Sequence, residues 1–335
     1  MKEDVVKEDV KKKSRWIAAA ALGWAVCGAF STSGVRAQDS ALDVVKVRKS
    51  FYMVAGAGGN IGVQIGSDGI VLVHSGAASA SSQVLAALKR LTDLPIRYII
   101  NADAGADFVG GNEALARAGY TIFTNALGNP AALQAMTGGG ASILSHDSVL
   151  RRMATAKPAY PANAQPNEAF FTPRKAIRMN DEGIEILYQP SAHSNADSFV
   201  LFRSSDVVVT GDVMDMTRFP VIDLANGGSI QGEIDALNKL IDLTIAPTPF
   251  IYKDVGTYVV PGHGRLCEQM EVVDYRDMVV LVRDVVADLM KQGKTLDQIK
   301  ASRPALPYET RYGTPAGAAN AFVETIYKSL AAPKK

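Results

Sequence analysis

Four short apolar segments of this sequence each run directly into a loop that carries acidic or histidine side chains. Such segments are typical of buried strands, and in mixed α/β folds the reactive groups gather on the loops that follow them. The pattern therefore favours a mixed α/β fold with a site at the strand ends. The four segments are Arg97–Ile100, Ile184–Tyr188, Val207–Thr210 and Thr257–Val260.

The composition excludes several classes of protein. Of the 335 residues, 47% are hydrophobic and 21% are charged, and the formal net charge is +1. These values exclude a disordered tail, a collagen-like fibre, a disulfide-stapled miniprotein and a polytopic membrane protein. The near-zero charge also argues against a nucleic-acid-binding surface, because phosphate recognition leaves a basic footprint. A small molecule is the expected partner.

Residues 1–37 have the features of a secretory signal peptide. A basic stretch at residues 11–15 precedes an apolar run at 16–30, and residues 35–37 place small or aliphatic side chains where a signal peptidase acts. The apolar run is shorter than the roughly 20 residues that span a membrane. We expect cleavage after Ala37, a periplasmic or secreted location, and no membrane attachment of the mature protein.

The mature chain divides into a core domain and a helical tail. Residues 38–270 alternate strand-like and helix-like stretches, which favours two sheets packed face to face with helices outside. Residues 271–335 are helical in pattern and are expected to pack on the same domain as an extension. Between residues 138 and 173 the periodicity weakens, which predicts a mostly irregular segment that covers a cleft.

Three of the polar loops carry motifs in a familiar order. They are Ala-His-Ser-x-x-Asp at 192–197, Gly-Asp at 211–212 and Pro-Gly-His-Gly at 261–264, with Gly-Gly-Asn upstream at 110–112. In this order the motifs resemble those of the metallo-β-lactamase superfamily of metal-dependent hydrolases, over about Val44–Cys267. The resemblance implies an α+β fold, a four-layer αββα sandwich, and hydrolysis of an ester, lactone, amide or thioester.

The first motif of that superfamily, His-x-His-x-Asp-His, is eroded here. Its positions fall on Asp103, Gly105, Asp107 and Phe108, so only the aspartate matches. Gly105 has no side chain to offer a metal, and Phe108 places an apolar ring at a ligand position. The four histidines of the sequence are also fewer than the five that an intact dinuclear centre of this family uses. We therefore expect one metal ion at most.

The resemblance implies the remaining ligands residue by residue. One metal position keeps His193 and Asp212, with Asp103 as an unusual replacement, and the other keeps Asp107, Asp212 and His263. Two histidines with carboxylates can hold a single ion that leaves a position open for water. Zinc is the expected ion, with manganese, iron or no metal as alternatives. Asp107 and Asp212 are the expected catalytic residues.

Each of these side chains also has a structural interpretation. Asp107 can serve as the N-cap of a helix that starts near Gly110, and Asp103 can make a polar contact within its loop. His74, at the end of a predicted strand, is either a substitute ligand or a residue behind the site or at the surface. The other candidates can be turn or core residues: His193, Asp212 and His263.

Substrate contacts are expected close to the ligand loops, at Phe108, Asn195, Gly228 and Ser229. The segments 211–232 and 262–267 are also similar to a group of exported bacterial proteins of this fold in which the first motif is commonly eroded.

Two functions of different class are compatible with these features. One is an exported metal-dependent hydrolase with a degenerate site, and the other is an inactive descendant that binds a small molecule or a protein. The oligomeric state stays open, because the apolar face of a predicted helix at 275–289 can pack on the domain or on a second subunit.

Overall fold

The computed structural model describes residues 42–121, 139–248 and 255–332. The predicted signal peptide lies outside the described residues. Within them, no helix is both long enough and apolar enough to cross a membrane.

A first sheet holds the amino-terminal strands, which lie side by side in chain order. They are β1 (Asp43–Lys46), β2 (Phe51–Ala55), β3 (Ile61–Gly66), β4 (Gly69–Val73), β5 (Ile96–Asn101), β6 (Ser142–His146) and β7 (Glu168–Phe170). The strands β1 to β4 pair antiparallel, whereas β4 to β7 pair parallel. β4 is buried along its whole length, as expected of a strand in a sheet that is covered on both faces.

A second sheet holds the later strands in the spatial order β12-β11-β10-β9-β8. They are β8 (Arg174–Met179), β9 (Glu182–Gln189), β10 (Asp197–Phe202), β11 (Val207–Val209) and β12 (Tyr258–Val260). All neighbours pair antiparallel except β11 and β12, which are parallel. The carboxyl ends of β11 and β12 therefore meet at the same edge.

Helices cover the outer face of each sheet. They are α1 (Ser81–Leu91), α2 (Ala106–Val109), α3 (Asn112–Arg117), α4 (Asp147–Thr155), α5 (Ile230–Leu243), α6 (Gln269–Lys291), α7 (Leu296–Ala301), α8 (Glu309–Tyr312) and α9 (Ala318–Ala331). α1 and α3 pack on the first sheet, and α5, α6 and α9 pack on the second. Between the sheets the rings of Phe51 and Phe202 meet with their centroids 4.7 Å apart. The predicted αββα sandwich with a helical extension is confirmed.

The segment from 138 to 173 is more regular than the sequence predicts. It is described from residue 139 onward and contains β6, α4 and β7. β6 pairs parallel with β5, with Tyr98 opposite Ser142 and Asn101 opposite Ser145. β6 is short and follows glycines, so no local sequence pattern predicts it. It forms a strand because it pairs with β5, which is distant in sequence. The sequence pattern also predicts a strand at 120–124. Residues 120 and 121 are not part of a strand, and the rest of this segment lies outside the described residues.

The long helix α6 packs on the domain itself. Val279, Val282 and Val286 are buried against the core that α5 and α9 share. Leu281 and Val285, on the opposite side, are 53% and 45% exposed. The domain therefore covers one side of α6 and leaves a second apolar strip in contact with solvent.

Candidate metal and catalytic site

The loops that follow β5, β9, β11 and β12 meet and bring the predicted site residues together. The last two loops are joined by backbone hydrogen bonds, because the N–H of Gly262 donates to the carbonyls of Gly211 and Met214, both at 2.9 Å. A Cβ at residue 262 would lie 2.6 Å from the Gly211 carbonyl oxygen. Glycine is therefore required for this contact.

One group of possible metal ligands consists of Asp103, His193 and Asp212, with one ligand atom of each within 4.8 Å of the others. His193 Nε2 lies 3.9 Å from Asp212 Oδ2, while its Nδ1 is hydrogen-bonded to the Val221 carbonyl. Asp103 Oδ1 accepts the N–H of Gly105 at 2.6 Å. Its Oδ2 is buried without a hydrogen-bond partner among the described residues. The His193 ring is thus held by Nδ1 and has Nε2 free. The Asp103 carboxylate is held by Oδ1 and has Oδ2 free.

A second group surrounds His263, whose ring lies among three carboxylates. Nε2 is 2.8 Å from Asp107 Oδ2, and Nδ1 is 3.2 Å from Asp212 Oδ1 and 3.5 Å from Asp215 Oδ2. Asp212, Asp215 and His263 also satisfy the 4.8 Å spacing of a metal site. Asp212 is therefore common to both groups.

These carboxylates control the protonation of His263 in the metal-free protein. Burial opposes the charge on its ring, but the hydrogen bonds to Asp107 and Asp212 outweigh burial and raise the pKa of His263 to about 10. Burial also opposes ionisation of Asp107, yet the hydrogen bond from His263 lowers the pKa of Asp107 below its usual value. Burial raises the pKa of Asp212.

Asp215 was missed by the sequence analysis, which stopped at the Gly-Asp motif. Its Oδ1 accepts hydrogen bonds from the backbone N–H and the hydroxyl of Thr217, at 2.7 and 2.6 Å. Its Oδ2 accepts from Arg218 Nε at 2.6 Å. The available signal was an aspartate three residues after Asp212, followed by hydrogen-bond donors. Because its oxygens are already occupied, Asp215 is better placed to hold the loop than to bind a metal.

Asp107 does not cap a helix. It lies in the first turn of α2, whose N-cap is Gly105, and the N-cap of α3 is Gly111. The capping interpretation is therefore wrong, and the carboxylate of Asp107 faces His263 instead.

Phe108 is a core residue at a position where the family motif has a metal ligand. Its side chain is fully buried, and its ring centroid lies 4.4 Å from that of His74 and 5.4 Å from that of His263. Space for the ring exists because residue 59 is glycine: a Cβ there would lie 2.2 Å from Phe108 Cε1. No solvent reaches Phe108, and its role in this structure is to pack behind the site.

His74 is fully buried, so the surface interpretation of this residue is wrong. Its Nδ1 lies 3.3 Å from the Asn60 carbonyl oxygen, and its Nε2 has no partner among the described residues. Burial is the main cause that lowers the pKa of His74 to about 4. The ring is therefore neutral at physiological pH and lies behind Asp103 and Gly211, close to the ligand loops.

The aspartate of the Ala-His-Ser-x-x-Asp motif shapes its loop. Asp197 Oδ2 accepts the N–H of Ser194 at 2.6 Å, and Oδ1 accepts its hydroxyl at 3.2 Å. Burial, followed by the nearby charge of Asp103, raises the pKa of Asp197 well above its usual value. These contacts hold the turn that presents His193.

The predicted substrate residues beside His193 have clear structural partners. Ser229 caps α5: its hydroxyl accepts the N–H of Gly232 at 2.9 Å and donates to the Ser191 carbonyl at 3.1 Å. Gly228 lies so close that a Cβ would be 2.1 Å from the His193 carbonyl oxygen. Asn195 lines a cavity next to the ligand loops.

The donor set of the first group fits a single metal ion. Asp103 Oδ2 is a buried oxygen without a hydrogen-bond partner among the described residues, and such an atom normally has one. The hydrogen bond at His193 Nδ1 orients the ring, as is usual for histidine ligands. Gly105 and Phe108 offer no ligands, and the two candidate groups of the described residues share Asp212.

Comparison with known proteins gives matches at the level of structure only. No protein-family model matches the sequence, and no curated protein is significantly similar to it. The chain is similar in structure to the stereoselective inverting sec-alkylsulfatase Pisa1 from Pseudomonas sp., with a TM-score of 0.59 and 16% identity over 86% of this chain. A double mutant of the same alkylsulfatase gives a TM-score of 0.63, with 15% identity over 87% of this chain.

A metallo-β-lactamase from Pontibacter korlensis is also similar, with a TM-score of 0.52 and 14% identity over 71% of this chain and 98% of that one. The chain spans only 50% of the length of the alkylsulfatase chains. The two sheets and the outer helices agree with these similarities. The chain therefore has the metallo-β-lactamase fold.

Proposed function

We propose that this protein is a metal-dependent hydrolase that acts on an ester, lactone, amide or thioester through a single ion at Asp103, His193 and Asp212. The observation that carries the proposal is the pair of free atoms, Asp103 Oδ2 and His193 Nε2. Both side chains are anchored through their other atom. His193 Nε2 lies 3.9 Å from Asp212 Oδ2, and one ligand atom of each of the three residues lies within 4.8 Å of the others.

A bound zinc, manganese or iron ion lowers the pKa of a coordinated water and polarises a carbonyl group. The neighbouring side chains of Asp107 and His263 have the other roles in the proposed reaction. The side chain of Asp107 is 36% exposed, compared with 14% for Asp212 and 5% for Asp215. Asp107 is therefore the most accessible of these carboxylates, and because its pKa lies below the usual value we assign it to positioning an incoming water rather than to accepting its proton. His263 orients Asp107 and Asp212 by contacting both.

Two further features of the proposal come from the sequence. The basic, apolar and small-residue pattern of residues 1–37 supports export, and the near-zero charge supports a small-molecule substrate. The similarity to a sec-alkylsulfatase adds sulfate esters to the substrates that need testing.

The competing function is an inactive binding protein with the same fold. Gly105 and the buried ring of Phe108 favour it, because they remove two ligand positions of the family motif. The two functions differ in whether the protein holds a metal ion that hydrolysis requires.

Metal analysis of the purified protein tests the proposal. After incubation with zinc, manganese or iron and removal of excess, we expect about one ion per chain. Asp103→Asn and His193→Gln should each lower the metal content roughly ten-fold. Asp181→Asn is the matched control, because that carboxylate is 93% exposed on the turn between β8 and β9. Hydrolysis of p-nitrophenyl acetate should stop on chelation and return with metal. Absence of bound metal with all three ions would refute the proposal.

A further inference from the structure

A cavity of about 470 Å³ lies next to the ligand loops. Its wall is formed by α4, by the end of β6, and by the two loops that contain Asn195 and Asn226. The N–H of Asn195 donates to the Asn226 carbonyl at 3.0 Å, so the two loops form a continuous surface. Asn195 is two residues from His193, so one wall of the cavity belongs to the loop that carries a proposed metal ligand.

The guanidinium of Arg152 in this cavity has unused hydrogen-bond donors. Its side chain is 23% exposed, and its Nη2 lies 3.3 Å from Asp223 Oδ2. Its Nη1 is buried and has no acceptor among the described residues. A buried donor on a charged group is normally paired. Arg152 is thus a partly satisfied cation on the cavity wall, and its side chain would have to turn for Nη1 to reach an anionic ligand in the cavity.

The neighbouring charges do not supply that partner. Arg151 and Asp147 form their own ion pair at 2.5 Å. Asp223 is shared, because its carboxylate also accepts the side-chain amide and the N–H of Asn226, at 2.7 and 3.1 Å. Among the charged residues that line the cavity or contact Arg152 there, none offers an oxygen to Nη1.

Arg152 is connected to the metal-binding loops on both sides. Its partner Asp223 donates its backbone N–H to the His193 carbonyl at 2.7 Å. Met153, the next residue on α4, packs with Phe108 in one small core. The phenol of Tyr160 has its pKa raised by burial and by the charge of Asp107, and lowered by the charge of Arg152. Arg152 and Asp107 are therefore both close enough to the phenol of Tyr160 to affect its pKa.

Aromatic rings provide an apolar wall in the same cavity. Tyr188 stacks on His146, with centroids 3.8 Å apart and an interplanar angle of 12°. Phe171, on the rim, is 71% exposed. Flat apolar surfaces next to a cation suit a ligand that has an anionic end and a hydrocarbon body.

We infer that this cavity binds the anionic oxygen group of an amphipathic substrate, a carboxylate or a sulfate, through Arg152, with the hydrocarbon part on Tyr188 and Phe171. The inference rests on the proposed function, since it names the substrate class of the same site. Arg152 would fix the substrate next to Asp212 while the neighbouring bond is hydrolysed. A planar guanidinium suits this role because it donates two parallel hydrogen bonds to such groups.

Calorimetric titration of the full-length protein with hexanoate, hexyl sulfate and 1-hexanol tests the inference. The titrations are done after chelation, so that binding does not depend on a metal. At least one of the two anions should bind about ten-fold or more tightly than the alcohol. Arg152→Gln should remove that difference, and Arg152→Lys should retain part of it. Arg90→Gln is the control, because Arg90 is exposed on α1 and does not line the cavity, and its expected change is less than about two-fold.

The outcomes separate the two proposals. Tighter binding of hexanoate identifies a carboxylate as the ligand, and tighter binding of hexyl sulfate identifies a sulfate. Equal binding of the anions and hexanol, or unchanged anion binding by a folded Arg152→Gln variant, would overturn the inference. Thermal melting of each variant shows whether it is folded. Loss of metal-dependent hydrolysis with intact anion binding would instead refute the proposed function alone.

Discussion

The phenyl ring of Phe108 packs against the imidazole of His74, with the two ring centroids 4.4 Å apart. The position that carries a metal-binding histidine in the related motif has therefore become part of a hydrophobic contact. Both rings are fully buried, and together they close the rear of the site.

Replacing Phe108 should lower the stability of the protein more than it lowers metal or ligand binding. Phe108→Ala removes a fully buried ring and leaves a cavity, for which we expect a loss of about 3–5 kcal/mol in the free energy of unfolding. Phe171→Ala is the control, because that ring is 71% exposed, and its effect should stay below about 0.5 kcal/mol. Urea denaturation measures both. Similar values for the two variants would mean that Phe108 is not a core residue in solution.

Restoring the family motif should create a second metal position. The triple variant Asp103→His, Gly105→His and Phe108→His should raise the metal content from about one to about two ions per chain. A Cβ at residue 105 would meet Asp107 Oδ1 at 2.8 Å, the end of a flexible side chain that can move. Elemental analysis of the zinc-incubated protein gives the result. An unchanged content would show that these positions do not face the site.

His74 should make the protein less stable in mild acid. In the folded protein the ring of His74 is neutral, because its pKa is about 4 there compared with 6.5 in the unfolded chain. Below pH 6.5 the unfolded chain therefore binds more protons, and stability falls as the pH decreases toward 4. Relative to His74→Asn, the wild type should lose up to about 3 kcal/mol over this interval. Asparagine tolerates the positive φ of 71° at this residue. Parallel pH profiles of the two proteins would contradict the burial of a neutral ring.

Glu233 should have the opposite pH dependence. Both of its carboxyl oxygens are buried without partners among the described residues, and burial raises its pKa well above the usual value. Above pH 4.5 the unfolded state releases the proton while the folded state keeps it, so stability falls as the pH rises. Glu233→Gln should become more stable than the wild type by roughly 1.4 kcal/mol per pH unit above that point, up to the folded-state pKa.

The control for Glu233 is Asp235→Asn, on the same helix but exposed to solvent. Its stability should follow the wild type at every pH, as measured by urea denaturation between pH 5 and 8, roughly the range over which proteins are usually most stable. If Glu233→Gln also follows the wild type, the carboxyl of Glu233 is solvated.

The sequence predicts the parts of this site that depend on local pattern. Asp212 and His263 follow short apolar strands, and the glycines beside them mark tight loops, so their positions could be expected without a structure. Asp215 follows Asp212 by three residues, but its contact with His263 depends on a bridge between residues 215 and 263 that no local pattern shows. Arg152 was missed for a similar reason. Its helix, α4, lies between β6 and β7. The pairing partners of these strands are distant in sequence, so no local periodicity predicts the strands.

The backbone contact between Gly262 and Gly211 joins the two loops through main-chain atoms alone. The backbone positions of residues 212 and 263 are therefore set by main-chain contacts and do not depend on the side chains at these two residues. In evolutionary terms, metal ligands at these loops can be lost or regained by single substitutions while the scaffold persists. A new chemistry can therefore arise at these two loops without a new topology.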